Sequence, residues 1–223
     1  AFVAIDTAGL RQRKSFSGDV EYYAYHRMLQ AVRRSDVVVF LIDATRKISH
    51  VDRKLAQELQ RQYKPTVLVL NKWDLVPEGT DPEEFGEYLT RELRGFDYAP
   101  IVLVSAESAE GIEDVVSMAF NLREQAAHRE TTGKLNAIIE SILKQRGPSS
   151  RLGTQAKLLY VSQVAVDPPT IAMVVNDPKL FEGRYERYLM NRLREEMPYS
   201  EVPIRLLFSK RNRKSLQDVK TRQ

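Results

Sequence analysis

The chain has 223 residues and a mass of 25.7 kDa, room for one large domain or two small ones. Hydrophobic residues at 43% and charged residues at 29% give an ordinary globular balance and exclude a disordered or collagen-like chain. The absence of cysteine excludes a disulfide scaffold and any thiolate-held zinc or iron–sulfur site, and three scattered histidines do not make a metal cluster. The longest apolar run, Val37–Ile42, is far short of the roughly 18 residues of a membrane span, and no signal-peptide pattern opens the chain. Cytoplasmic residence without membrane contact is therefore expected. Charge divides along the chain: residues 1–128 carry 16 Lys+Arg against 20 Asp+Glu, and residues 129–223 carry 18 against 10. An acidic half followed by a basic half predicts two domains with different partners, the second facing a polyanion.

The elements alternate through the first half. Strands are predicted at Phe2–Ile5, Val37–Ile42, Thr66–Leu70 and Ile101–Val104, each a continuous apolar run of the kind buried on both faces of a parallel sheet. Helices are predicted at Asp19–Arg34, Asp52–Tyr63, Glu83–Arg94 and Gly111–Ala127. Strand–helix alternation of this kind defines an α/β domain with a doubly wound, mostly parallel sheet.

Composition shifts near residues 129–133. A helix from Thr132 to Gln145 stops at Arg146-Gly147-Pro148, and the loop Ser149–Thr154 follows. Strands are predicted at Ala156–Val164 and Thr170–Asn176, either side of Asp167-Pro168-Pro169. A helix then spans Gly183–Glu196 and a last strand spans Ile204–Phe208. The order α-β-β-α-β gives a small α+β domain over 129–208. The tail 209–223 is basic, nearly free of apolar residues and expected to be disordered.

Three short signatures follow directly on three predicted strands: Asp6-Thr7-Ala8-Gly9, Asn71-Lys72-Trp73-Asp74 and Ser105-Ala106. Ligands of open α/β sheets bind outside the carboxyl ends of the strands, so all three should share one rim. Taken singly, Asp6 reads as a turn residue and Asn71 and Asp74 as a helix cap. Taken together, their order and spacing point to a nucleotide site.

The residue types suggest the roles. Asp6, a carboxylate at a strand tip, suits a magnesium ion held through water. Gly9, flanked by Thr7, Ala8 and Leu10, lets its backbone N–H approach a terminal phosphate. Asp74 can accept from both the ring N–H and the exocyclic amine of guanine, donors that adenine does not present in that arrangement. Asn71 and Lys72 brace the base, and the N–H near Ala106 can reach the guanine carbonyl. Asp43, after the second strand, reads as a turn or cap residue. His26 and His50 read as surface residues, and His128 sits where a helix end favours its charge.

This pattern looks like a GTPase of the P-loop class. The segments VAIDTAGLRQRKSFS (Val3–Ser17), VEYYAYHRMLQAV and VLNKWDLV resemble the second G domain of the Der (EngA) family of ribosome-assembly GTPases. In the second half Asp167-Pro168-Pro169-Thr170-Ile171, Tyr185–Asn191 and Val202–Phe208 resemble that family's KH-like domain. The resemblance implies a GTPase-like G domain over 1–128, truncated at its N-terminus, followed by a KH-like domain over 129–208. It implies GTP and GDP as ligands, magnesium as cofactor with potassium as a second ion, and the large ribosomal subunit with its rRNA as partner. The alternative, from another class, is a non-enzymatic RNA- or ribosome-binding module with a degenerate G domain.

Two departures bear on these expectations. No GxxxxGK(S/T) loop occurs in the chain, which resembles a piece of a longer protein and is expected to bind GTP only at about millimolar strength. The strands Phe2–Ile5 and Val37–Ile42 should then lack a neighbour and expose apolar surface. Position 10 is Leu, where Ras-like enzymes carry a water-orienting glutamine, so no residue here is assigned as catalytic. The second half also lacks the GxxG clamp of RNA-binding KH domains. Its RNA candidates are Arg184, Arg187 and Arg194 on one helix face and the basic tail.

Overall fold

The computed structural model describes residues 2–7, 19–148 and 155–210. The chain divides into two compact units, Ala1–Ala126 with Glu201–Pro203, and Ala127–Ser200 with Ile204–Gln223.

In the first unit, helix α1 (Asp19–Arg34) precedes strand β1 (Val38–Asp43), helix α2 (His50–Arg61) and strand β2 (Thr66–Asn71). Helix α3 (Pro82–Glu92), strand β3 (Ile101–Val104) and helix α4 (Ile112–Ala127) follow. The three strands run parallel in the order β1-β2-β3, so each βα connection returns the chain to the same end of the sheet. Strand β2 is central, and Thr66 to Leu70 are all buried, as its unbroken apolar run requires.

The connecting helices start where their caps stop the preceding loop. Ser49 and Asp52 form a reciprocal capping box at the head of α2, and Asp81 caps α3 with Pro82 in its first turn. Met28, Leu29 and Val32 of α1 pack with Phe40, Ile42, Leu59, Leu68, Leu70 and Leu89 in one apolar core.

Two strand expectations need correction. Residues 2–7 form no strand; they are exposed, with Phe2 set edge-on to Phe120 at 6.0 Å. A strand requires a hydrogen-bonded neighbour, and Phe2–Ile5 has none among the described residues. Strand β1 is covered on one face only: Phe40 and Ile42 are buried, while Val39 and Leu41 remain 42% and 63% exposed. The exposure expected for these two segments is thus observed.

In the second unit, α5 (Thr132–Gln145), β4 (Leu158–Ala165), β5 (Thr170–Val175), α6 (Arg184–Glu196) and β6 (Arg205–Lys210) give the anticipated α-β-β-α-β order. The sheet order is β4-β5-β6, antiparallel between the first two and parallel between the last two. Leu135, Ile139 and Ile142 of α5 and Leu189 and Leu193 of α6 are fully buried, as are Val161, Ile171 and Met173 from the strands. The last strand runs two residues past Phe208, because Ser209 and Lys210 pair with Val174 and Val175. The rest of the basic tail lies outside the described residues.

A buried amide anchors the start of this unit. Gln163 uses its full hydrogen-bonding capacity: Nε2 donates to the carbonyls of His128 (2.8 Å) and Ala165 (3.2 Å), and Oε1 accepts from the Glu130 N–H (2.7 Å) and the Tyr199 hydroxyl (3.0 Å). His128 stacks edge-on against Tyr199 at 5.7 Å, so it packs as well as ending a helix. On α6 Arg192 pairs with Glu195 and Glu196, whereas Arg184 and Arg187 are exposed.

Candidate nucleotide-binding site

The carboxyl ends of β1, β2 and β3 lie side by side. In the sheet register Asp43 faces Asn71, and Asn71 faces Val104, so the loops that follow start from one rim. The Ala44 N–H donates to the Asn71 carbonyl at 2.9 Å and holds the end of β1 against β2.

Asn71 is the clamp of this rim. Its Oδ1 accepts from the Lys72 N–H at 2.8 Å and from the Ala106 N–H at 3.1 Å. One side chain therefore joins the loop after β2 to the loop after β3. The first bond supports the left-handed backbone of Lys72 (φ 65°), which turns the chain sharply into the 3₁₀ turn Trp73–Leu75. The second engages the N–H expected to meet a guanine carbonyl, so Ala106 stands at the rim with its donor directed at Asn71.

Ser105 is buried, pairs with Glu110 through an isolated bridge, and accepts from the Ser108 N–H at 3.3 Å. The loop turns back at Gly111, whose φ is +75° and where a Cβ would lie 2.3 Å from the Leu103 carbonyl oxygen. Only glycine fits there, and it sets the height of Ser105 and Ala106 above β3.

The middle of the tetrapeptide divides its tasks. Trp73 is half-buried and meets Phe85 edge-on at 5.6 Å, and Phe85 meets Tyr88 at 5.7 Å, so the indole anchors the loop in the apolar core. Asp74 is exposed, and its carboxylate has no hydrogen bond or ion pair among the described residues. That leaves its oxygens open to a ligand. Lys72 turns its ammonium to Asp43 Oδ2 at 2.9 Å.

Asp43 was expected to be a turn or cap residue, and the structure adds to that. It also accepts from the Thr45 hydroxyl (2.6 Å) and N–H (3.0 Å), and Arg46 Nε lies 3.5 Å away. The Thr45 hydroxyl and then the Lys72 ammonium hold its carboxyl down to about 2. Sequence reasoning missed this group because its partner lies 29 positions away. The signal available was the shared strand-end position alone.

The described part of the first signature is not carried on a strand end. Asp6 and Thr7 are exposed and not at a strand tip, while Ala8, Gly9 and Leu10 lie outside the described residues. Among the described residues no three His, Asp or Glu side chains converge as a metal site. No helix there is long and apolar enough to cross a membrane.

An open parallel sheet with Asn-Lys-x-Asp and Ser-Ala on neighbouring strand ends, followed by an α+β unit of KH-like order, defines a GTPase-type G domain joined to a KH-like domain. Residues 15–125 match the elongation factor Tu GTP-binding domain, and residues 129–209 match the KH-domain-like C-terminal domain of EngA bacterial GTPase enzymes. GTPase Der from Rhodopirellula baltica is 38% identical over 95% of this chain and 47% of its own length. GTPase Der from Acaryochloris marina is 36% identical over 96% of this chain and 47% of its own. GTPase Der from Ruminiclostridium cellulolyticum is 34% identical over 96% and 49%. The chain belongs to the Der (EngA) GTPase family, and it spans about half the length of the curated relatives it matches. A solved structure of Era from Aquifex aeolicus bound to GDP.AlF4- overlaps more loosely, with a TM-score of 0.45 at 18% identity over 92% of this chain and 74% of that one.

Proposed function

We propose that this chain carries the guanine-recognising part of a GTP-binding factor in assembly of the large ribosomal subunit, with the KH-like unit directed to rRNA. The observation that carries the reading is the rim itself: an Asp74 carboxylate without a partner among the described residues, beside a lysine stem, on a loop that Asn71 ties to Ala106. Asp74 would accept guanine's two donors, and the Lys72 stem would line the ring. Adenine would leave the carboxylate facing an acceptor, which is the costly mismatch.

Magnesium taken up with a nucleotide leans on its phosphates and on one or two carboxylates. When bound it neutralises phosphate charge. Asp6, exposed and without a partner among the described residues, is the carboxylate we assign to it through water. For the KH-like unit the support is charge: Arg184 and Arg187 stand exposed on α6, in the half of the chain that is net basic.

Asp74→Asn tests the base assignment. In competition binding the variant should lose guanine nucleotide by about 2–4 kcal/mol and prefer the xanthine nucleotide, whose extra carbonyl meets the new amide. An unchanged guanine preference removes Asp74 from the site.

A further inference from the structure

Lys72 and Asp74 stand two positions apart on an exposed loop, one a cation on a flexible stem and the other a carboxylate without a partner among the described residues. Left free, the ammonium would settle on that carboxylate and occupy the oxygens a base must reach. It does not, because Asp43 already holds it. Oδ2 of Asp43 takes the Lys72 ammonium at 2.9 Å, and Oδ1 is fixed by both the hydroxyl and the N–H of Thr45. The carboxylate is oriented before Lys72 meets it. Asp43 is itself pinned to the rim, since β1 and β2 are in register at Asp43 and Asn71 and the next N–H, of Ala44, bonds the Asn71 carbonyl.

We propose that Asp43 is a positioning residue for base specificity: by retaining the Lys72 ammonium at the end of β1 it keeps Asp74 free to read the donors of guanine. The same pair draws the lysine stem toward the end of β1, leaving its methylene groups as a wall for the ring. The ionised state this requires is secured by the bonds from Thr45 and Lys72, which hold the carboxyl at about 2. This inference rests on the guanine reading of Asp74, and the test separates the two.

The intact 223-residue chain, titrated with GDP and separately with ADP into the millimolar range while amide shifts of Asn71–Asp74 and Ala106 are followed, gives both answers. The unsubstituted chain should respond to GDP and much less to ADP. Asp43→Asn, which keeps the shape and the acceptor for Thr45, should weaken GDP about three- to fivefold, the size an exposed ion pair supports. Its preference for GDP over ADP should shrink in step, and Asp43→Glu should restore part of both. Lys72→Met removes the wandering charge, so Asp43→Asn in that background should change neither quantity further. A merely structural role for Asp43 would persist in the Lys72→Met background, and that result overturns the proposal. So does an Asp43→Asn protein with unaltered GDP affinity and base preference. A chain that shows no GDP-dependent shift at all defeats the guanine reading itself.

Discussion

The second unit buries the apolar faces of both its helices while Leu159, Tyr160, Val164 and Leu207 of its strands stay 39–51% exposed, whereas the first leaves Phe2, Val3 and Ile5 near its start and Val39 and Leu41 of β1 uncovered. Leu135, Ile139, Leu189 and Leu193 have no exposed surface. The difference is one of architecture. An α-β-β-α-β unit closes on three strands and two helices that are near one another in the chain. In the parallel sheet β1 is an edge strand among the described residues, and the face that carries Val39 and Leu41 stays exposed.

The largest expected effect comes from separating the two. Residues 129–223 expressed alone should unfold in one cooperative transition, while residues 1–128 should bind a hydrophobic dye and self-associate. Circular dichroism and sedimentation on the two pieces decide this, and a dye-silent, monomeric first piece would erase the contrast.

Within the intact chain the same residue type should behave differently in the two units. Leu189→Ala, at a fully buried site, should cost about 2–5 kcal/mol. Leu41→Ala, 63% exposed on β1, should stay within about 0.5 kcal/mol. Chemical denaturation reads both, and the single tryptophan, Trp73, reports the first unit separately.

Gln163→Leu should cost about 1–3 kcal/mol, because it strands the Glu130 N–H, the His128 carbonyl and the Tyr199 hydroxyl. Amide exchange at Val161 and Ile171 should accelerate, and exchange in β2 should not change. Equal acceleration in both sheets would mean that the amide does not act locally.

Acid should sharpen the comparison more gently. The Lys134 ammonium and then the Thr131 N–H hold the Glu130 carboxyl down to about 2 from its ordinary 4.5. Its folded value lies below its unfolded one, so its contribution is complete above about 4.5 and is lost as pH falls toward 2. Glu130→Gln should flatten that acid limb for the second unit, read from tyrosine signals against pH. An unchanged limb would remove Glu130 from the balance.

Much of this was legible because the signals were local. The unbroken run Thr66–Leu70 announced a strand buried on both faces, and Asn71-Lys72-Trp73-Asp74 placed behind it announced a rim. The α-β-β-α-β order followed from breakers such as Gly147-Pro148 and Pro168-Pro169. Phe2–Ile5 was misread for a physical reason: apolar content says that a segment seeks burial but does not name its neighbour. Asp43 and Gln163 were hidden in another way. A lone polar residue at a strand end or inside a strand looks like a turn or a lapse in pattern, and the groups that give each its task are 29 and 33 to 36 positions away. Trp73 belongs to the tetrapeptide, and its half-buried indole packs against the apolar core.

The shared oxygen of Asn71 has a temporal consequence. Two amides, at Lys72 and Ala106, one and 35 positions beyond Asn71, lean on one acceptor. When that side chain rotates, both are released to solvent in the same event; when it returns, both are shielded. The loops after β2 and β3 therefore share a clock, and anything that arrests one, such as a carbonyl seated against Ala106, is registered at the other within a single side-chain flip.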